Sequence, residues 1–152
     1  MKSIVIIILF FIAGNLFSQE SLFQKIKEKL KQEHPEIQIE NKLIVVNIWS
    51  ADNVASREAN LQLNKAYSAY EFARLKGGAK GMIGVLLSAD NDTKGESIIL
   101  SKDKVLKPIT LKNNNDLELQ GLSNIIFDSN GDVINKNITS DIFEKIHQLI
   151  TR

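Results

Sequence analysis

The chain has no cysteine, two prolines, two histidines and one tryptophan among its 152 residues, and 19 Lys and Arg against 18 Asp and Glu leave a formal charge of only +1. Each scarcity excludes something. Without a thiol there is no disulfide to staple the fold, no thiolate nucleophile and no thiolate metal centre. His34 and His147 are far apart in sequence and make a thin supply of metal ligands, so no cofactor or metal is expected. A balanced charge argues against a nucleic-acid binder, which needs a basic excess to displace counterions. The longest apolar run, residues 3–17, falls short of the ~20 residues that a spanning helix needs.

That run reads instead as a secretory leader. Lys2 supplies the positive start, residues 4–13 the apolar centre, and residues 14–18 (Gly-Asn-Leu-Phe-Ser) a cleavage neighbourhood. Cleavage after Ser18 is expected, giving an exported (periplasmic or secreted) chain of roughly 130 residues with no membrane span, enough for one core. An uncleaved anchor is the alternative. Residues 19–40 then form an N-terminal helix and linker, and residues 41–152 one domain.

Residues 21–33 predict an amphipathic helix with Leu22, Phe23, Ile26 and Leu30 on one side, a Ser21/Gln24 capping box at its start and Pro35 beyond its end. Its lysines, interleaved with Glu28 and Glu33, read as a solvated face. Residues 43–48 are apolar on both alternations except at Asn47, the pattern of a strand covered on both faces. A long helix is expected over 54–76, with Ala59, Leu63, Ala66, Tyr67, Tyr70 and Ala73 as its stripe and Gly77-Gly78 as its stop. Residues 82–87 are the next buried run, so strand, helix, strand implies a right-handed crossover and a parallel pair. Thr93 and Glu96 pair as a capping box for a short helix to about Asp103, with a strand as the alternative. Residues 105–111 read as extended and 112–120 as a surface loop. Asn130-Gly131 predicts a tight hairpin between strands at 123–127 and 132–135, both turn residues tolerating positive φ. A terminal helix is expected over 139–151, with Ile142, Phe143, Ile146, Leu149 and Ile150 inward.

The stretch 43–58, LIVVNIWSADNVASRE, resembles the active-site region of a thioredoxin-type protein from which both cysteines have gone. Asn53 stands four residues after Trp49, where the family has its first Cys, and Ser56 where it has its second, followed by the basic Arg57. Residues 127–134, FDSNGDVI, are similar to the "IDxxGxI" ending of the family, approached through residues 121–128. The order of elements is closest to the exported branch similar to TlpA and ResA. The resemblance covers about residues 41–150 and implies an α/β, thioredoxin-like fold: a central mixed β-sheet flanked by helices, here with an extra N-terminal helix.

Three departures bear on function. Asn53 and Ser56 cannot carry out thiol–disulfide exchange, since neither supplies a thiolate. The family's cis-proline position falls on Leu122, where a trans bond is expected because a non-proline cis bond costs about 2.5–4 kcal/mol. The acidic residue that commonly follows the second Cys falls on Ala59, with Glu58 one place early. The resemblance therefore implies a degenerate, redox-inactive site with no catalytic residue.

Asp52, Asn53 and Ser56 open a helix. They can cap it, or its first N–H groups can attract an anion, against which Asp52 acts by its own charge. Ser56 as a nucleophile would need a base, and neither histidine is expected nearby. Asp128, Asn130 and Asp132 lack the spacing of a calcium loop, since Gly131 precedes Asp132. Asn91 and Asn137 each begin an N-x-Thr glycosylation pattern that recurs by chance. The resemblance implies instead a protein or peptide partner in the cell envelope, bound at Trp49, Asp52, Asn53 and Ser56 with Leu122 and Ser123 opposite, by strand addition that needs no thiol. The alternatives are an enzyme of non-thiol chemistry on this scaffold and a structural envelope subunit.

Overall fold

The computed structural model describes residues 21–89, 93–113, 115–139 and 141–151. The leader read in residues 1–18, the Asn91 pattern and the Thr93 side-chain cap lie outside what it describes.

Five strands form one mixed sheet. They are β1 (Leu43–Trp49), β2 (Met82–Ser88), β3 (Ile109–Leu111), β4 (Asn124–Phe127) and β5 (Val133–Lys136), in the order β3-β2-β1-β4-β5. The central strand β1 runs parallel to β2, with Val45 beside Gly84 and Trp49 beside Ser88, and antiparallel to β4, with Asn47 beside Asn124. The helices are α1 (Leu22–Glu33), α2 (Val54–Tyr70), α3 (Thr93–Lys102) and α4 (Ile142–His147).

Strand alternation assigns the two faces. Val45 and Asn47 share a face with Gly84, and α2 lies on it. A Cβ at Gly84 would stand 3.1 Å from the Tyr67 ring and 3.2 Å from Leu63, so glycine sets how closely α2 approaches the sheet. The α4 helix joins α2 there, with Gln62 Oε1 accepting the Ile142 N–H at 2.6 Å and the Tyr70 hydroxyl 2.7 Å from His147 Nδ1. Ile44 and Phe127 face the other way, toward α1, where Phe23 meets Phe127 at 5.3 Å between ring centres. Phe23 also covers Gly131, whose φ of 96° puts its missing side chain where the ring sits. The Ser21 hydroxyl caps α1 through Gln24 N, as its sequence predicts. Among the described residues, no helix is long and apolar enough to cross a membrane.

Several expected boundaries differ. The second helix ends at Tyr70 rather than at 76. Arg74 and Lys80 bridge, Leu75 pairs with Ile150, and Gly77 and Gly78 turn the chain between them with positive φ. Glycines that look like a helix stop therefore close a separate hairpin-like excursion, because Leu75 and Ala79 bury themselves there. The terminal helix is shorter than expected, ending at His147, since Leu149 and Ile150 leave it to bond Lys76 N and to pair with Leu75. Residues 94–102 are helical, with Leu100 buried. The loop at 112–120 is not wholly a surface feature: Leu117 is in the core, and Asp116 anchors the mostly buried Lys29 ammonium at 3.1 Å.

The Asn-Gly turn is also corrected. Only Gly131 has positive φ, and Asp128 Oδ1 instead accepts from Asn130 N at 2.8 Å and Asp132 N at 2.9 Å. A carboxylate can hold a longer loop that way, and a bulge between Ile126 and Phe127 absorbs the register shift.

Candidate functional site

The turn between β1 and α2 is built from its own side chains. Asn53 is the N-cap, extended in backbone, and its Oδ1 accepts the Ser56 N–H at 2.9 Å. The Ser56 hydroxyl donates to Asn53 O at 2.9 Å and accepts the Ser50 N–H at 3.2 Å. Asn53 N bonds back to Ser50 O at 3.2 Å, closing the turn. Two polar side chains thus satisfy backbone groups that a helix start otherwise leaves orphaned. Asp52 is exposed beside them, and Val54, at 76 % exposure, leaves an apolar side chain in solvent at the first helical position.

Beneath the turn lies a polar pair that periodicity does not reveal. Asn47, the one polar residue of β1, donates from Nδ2 to Ser56 O at 3.0 Å and to Asn60 Oδ1 at 2.7 Å, and both asparagines are about 1 % exposed. Asn60 Nδ2 has no protein partner. The sequence signal was Asn47 itself, a break in an otherwise apolar strand. Trp49 is 2 % exposed and belongs to the core, so of the proposed contact residues it can shape a surface but offers little of one.

Leu122 and Ser123 come to the end of β1, where Ser123 O accepts the Ile48 N–H at 2.8 Å and prolongs the β1–β4 ladder by one bond. The connection to the Asn53–Ser56 turn runs through β1, since Ser50 bonds Ser56 two residues after Ile48. No cis peptide bond occurs among the described residues. Asn137 holds the Leu122 segment: with φ at 51°, it accepts Ser123 N on Oδ1 and donates from Nδ2 to Gly121 O, both at 2.9 Å. Asn124, buried, makes a matching pair of bonds to Ile138, accepting its N–H at 2.7 Å and donating to its carbonyl at 2.9 Å. Asn137 also begins an N-x-Thr pattern. Its amide nitrogen is occupied by Gly121 O, so a glycan there would displace a bond that shapes this segment.

Arg57, beside Ser56, makes a two-bond pair with Asp103 just past α3, at 2.8 and 2.7 Å. That hydrogen bonding is the main cause that raises the Arg57 pKa above its ordinary value and lowers that of Asp103. The strap after α3 continues along α2. Asn64 Oδ1 accepts the N–H groups of Leu106 and Lys107 at 3.0 and 2.9 Å, and the Lys107 ammonium lies 2.6 Å from Glu71. Nearby, burial first and the Glu71 charge second push the Tyr67 hydroxyl above its usual pKa.

These geometries decide what chemistry is possible. Ser56 gives its proton to a backbone carbonyl. His147 is held at Tyr70, about 21 Å along α2 from Ser56 at 1.5 Å per residue. His34 sits against Thr110 O at 3.3 Å and Glu36 at 3.5 Å. Neither histidine stands beside the serine, and among the described residues no group of three or more potential ligands gathers for a metal.

Three parallel strands in order with one antiparallel β4–β5 hairpin, covered on both faces and with a helix-opening turn after the central strand, decide the architecture. The fold is thioredoxin-like. It is similar to the thioredoxin domain of a thiol-disulfide oxidoreductase from Bacteroides vulgatus, with TM-score 0.59 and 18% identity over 74% of this chain and 82% of that one. It is similar also to a thioredoxin-like protein from Parabacteroides distasonis, with TM-score 0.55 and 18% identity over 74% of this chain and 81% of that one. StoA from Bacillus subtilis aligns with TM-score 0.54 and 8% identity over 72% of this chain and 82% of its own. No family model matches the sequence, and no curated protein matches it with significance. A thioredoxin-like chain with no cysteine has no dithiol to cycle, so thiol–disulfide exchange is outside its chemistry.

Proposed function

We propose that this thioredoxin-like chain is exported, loses residues 1–18, and serves the cell envelope as a redox-inactive module that binds a protein or peptide. The surface assigned to that role is the degenerate site: Asp52, Asn53 and Ser56 at the α2 start, with Leu122 and Ser123 alongside and Trp49 beneath. The observation that carries the reading is the Asn137 clamp. The buried Asn124 and a left-handed Asn137 fix the turn at residues 121–123 against the end of β1, although no proline imposes it. A fixed backbone there and an exposed Val54 at the start of α2 supply what a peptide partner would use: a preformed surface and an apolar contact for selectivity.

Two experiments test it. Photo-crosslinkers at positions 53 and 123 should trap one discrete envelope partner in native cells, whereas one at Gln32 on α1 should not. Adducts confined to position 32 would favour a structural subunit instead. Separately, Asn53→Cys with Ser56→Cys should form a disulfide in the folded protein and gain measurable reductase activity, since residues three apart on a helical turn lie within bridging distance. A double variant that folds yet stays reduced under oxidising conditions would mean that these positions are not the lost dithiol seats.

A further inference from the structure

The chain is almost neutral, yet its hairpin-like excursion carries cations without acids. Residues 72–81, FARLKGGAKG, hold Arg74, Lys76 and Lys80 and no carboxylate. Arg74 bridges Lys80, so their side chains share a face, and alternation puts Lys76 on it as well. Leu75 and Ala79 point the other way into the core, while the three cationic residues are exposed. Lys42 joins them from just before β1. Its ammonium donates to Glu71 O at 3.3 Å and lies 5.4 Å from the centre of the Phe72 ring.

The neighbouring carboxylates are engaged elsewhere. Glu71 meets Lys107 at 2.6 Å and Glu40 meets Lys31 at 3.7 Å. Among the described residues, Lys42, Arg74, Lys76 and Lys80 form no ion pair with an acid. Phe72 is 81 % exposed, more than any other large apolar side chain described. The turn beside it stands clear of the rest of the molecule, since a Cβ added at Gly77 or Gly78 would meet nothing within 4 Å. Sites for small molecules are concave. A projecting tip with cations around a bare aromatic ring suits instead a plane of anionic headgroups, where the cations meet phosphates and the ring enters the acyl boundary.

We propose that this face, Lys42, Arg74, Lys76 and Lys80 around Phe72, docks the protein on an anionic membrane surface. Leu43 N bonds Gly81 O, so the excursion sits at the start of β1, whereas the degenerate site follows its end. The strand between them spans roughly 20 Å at about 3.3 Å per residue. Docking by this face leaves the Asn53–Ser56 turn at the end of β1 farther from the lipid. The assignment is independent of the peptide-binding reading, since it uses none of those residues.

Vesicle co-sedimentation of the protein as the cell processes it tests the assignment. Binding should be at least tenfold tighter to phosphatidylcholine vesicles with about 40 % phosphatidylglycerol than to phosphatidylcholine alone, and should fall at least tenfold at about 0.5 M salt. Combining Arg74→Gln, Lys76→Gln and Lys80→Gln should weaken it about 100-fold, at about fivefold per cation near such a surface. The same charge change made as Lys102→Gln, Lys112→Gln and Lys136→Gln should have no more than about a threefold effect, because screening confines each charge to about 10 Å. Phe72→Ser should weaken binding fivefold or more. Phe72→Trp should retain it and be quenched by lipid brominated in its acyl chains, a signal the buried Trp49 does not give. Circular dichroism verifies folding of each variant, and Phe72→Trp decides by itself where another fails to fold. Equal binding to neutral vesicles, an equal loss from the Lys102, Lys112 and Lys136 change, or an unquenched Phe72→Trp would overturn the proposal. Binding lost in the basic variant but unmoved by Phe72→Ser would describe a site for a soluble polyanion, and would overturn it too.

Discussion

Asn47 illustrates how one residue can be both visible and unreadable in a sequence. Its place in an apolar strand marks it as an exception, but its purpose depends on Ser56 and Asn60, which only the packed α2 brings within reach. In thioredoxin-like terms it braces the turn from below, in the low-dielectric core where an unpaired amide is costly. Asn47→Leu should therefore destabilise the protein by about 1–3 kcal/mol, because Asn60 Oδ1 loses its donor while its Nδ2 already lacks an acceptor. The double change with Asn60→Leu should recover much of that loss, as measured by urea denaturation; a double variant less stable than either single would refute the pairing. Gly84 acts by what it lacks. Gly84→Ala should cost about 1–3 kcal/mol, since Tyr67 and Leu63 stand at 3.1 and 3.2 Å from the added carbon inside a full core. A melting temperature equal to or above the parent's would show that α2 can retreat freely.

At the scale of elements, the strap from Asp103 to Lys107 shows why loop function escapes periodicity. Nothing in the spacing of those residues announces that they clasp α2, yet Arg57, Asn64 and Glu71 meet them in succession along one helical stripe. The Arg57–Asp103 pair gives the strap a pH signature. Asp103 has a lowered pKa in the fold, so its contribution is fully present above the ordinary aspartate value of about 3.9 and is lost as pH falls through the folded value. Asp103→Asn should thus melt below the parent at neutral pH, with the gap narrowing only on the acid side of that ordinary value. A gap that stays constant down to pH 2 would mean that the pair adds nothing to stability. The same scale explains the shortened helices. Helical stripes at 54–76 and 139–151 are genuine patterns, but α2 ends at Tyr70 and α4 at His147, and Leu75 and Ile150 pair with each other beyond those ends instead of prolonging the helices.

For the whole molecule, α1 determines how the sheet's second face is covered. It is held at its start by Phe23 against Phe127 and Gly131, at its middle by Lys29 to Asp116, and at its end by His34 on β3. A cysteine-free domain has only such packing to stabilise it. Phe23→Ala should cost about 3–5 kcal/mol if α1 belongs to the cooperative core, and its effect on amide exchange should spread through β1, β2 and β4. Faster exchange confined to α1 would instead make the helix a detachable addition. The end of this helix also forms one wall of the cleft it makes with α3 and β3, so its docking and that cleft should be lost together.

Composition and pattern alone determined the absence of thiol chemistry, the covered central strand, the parallel β1–β2 pair, the capped α1 and the helix-opening turn after β1. Each follows from residue types or from short-range periodicity, which reach only a few positions along the chain. The Asn47–Asn60 brace, the Asn137 clamp, the strap on α2, the Leu75–Ile150 pairing and the meeting of Lys42 with Phe72 were decided by the tertiary structure. Their partners are distant in sequence, and a polar or apolar side chain carries no mark of which remote neighbour will satisfy it until the core has closed around both.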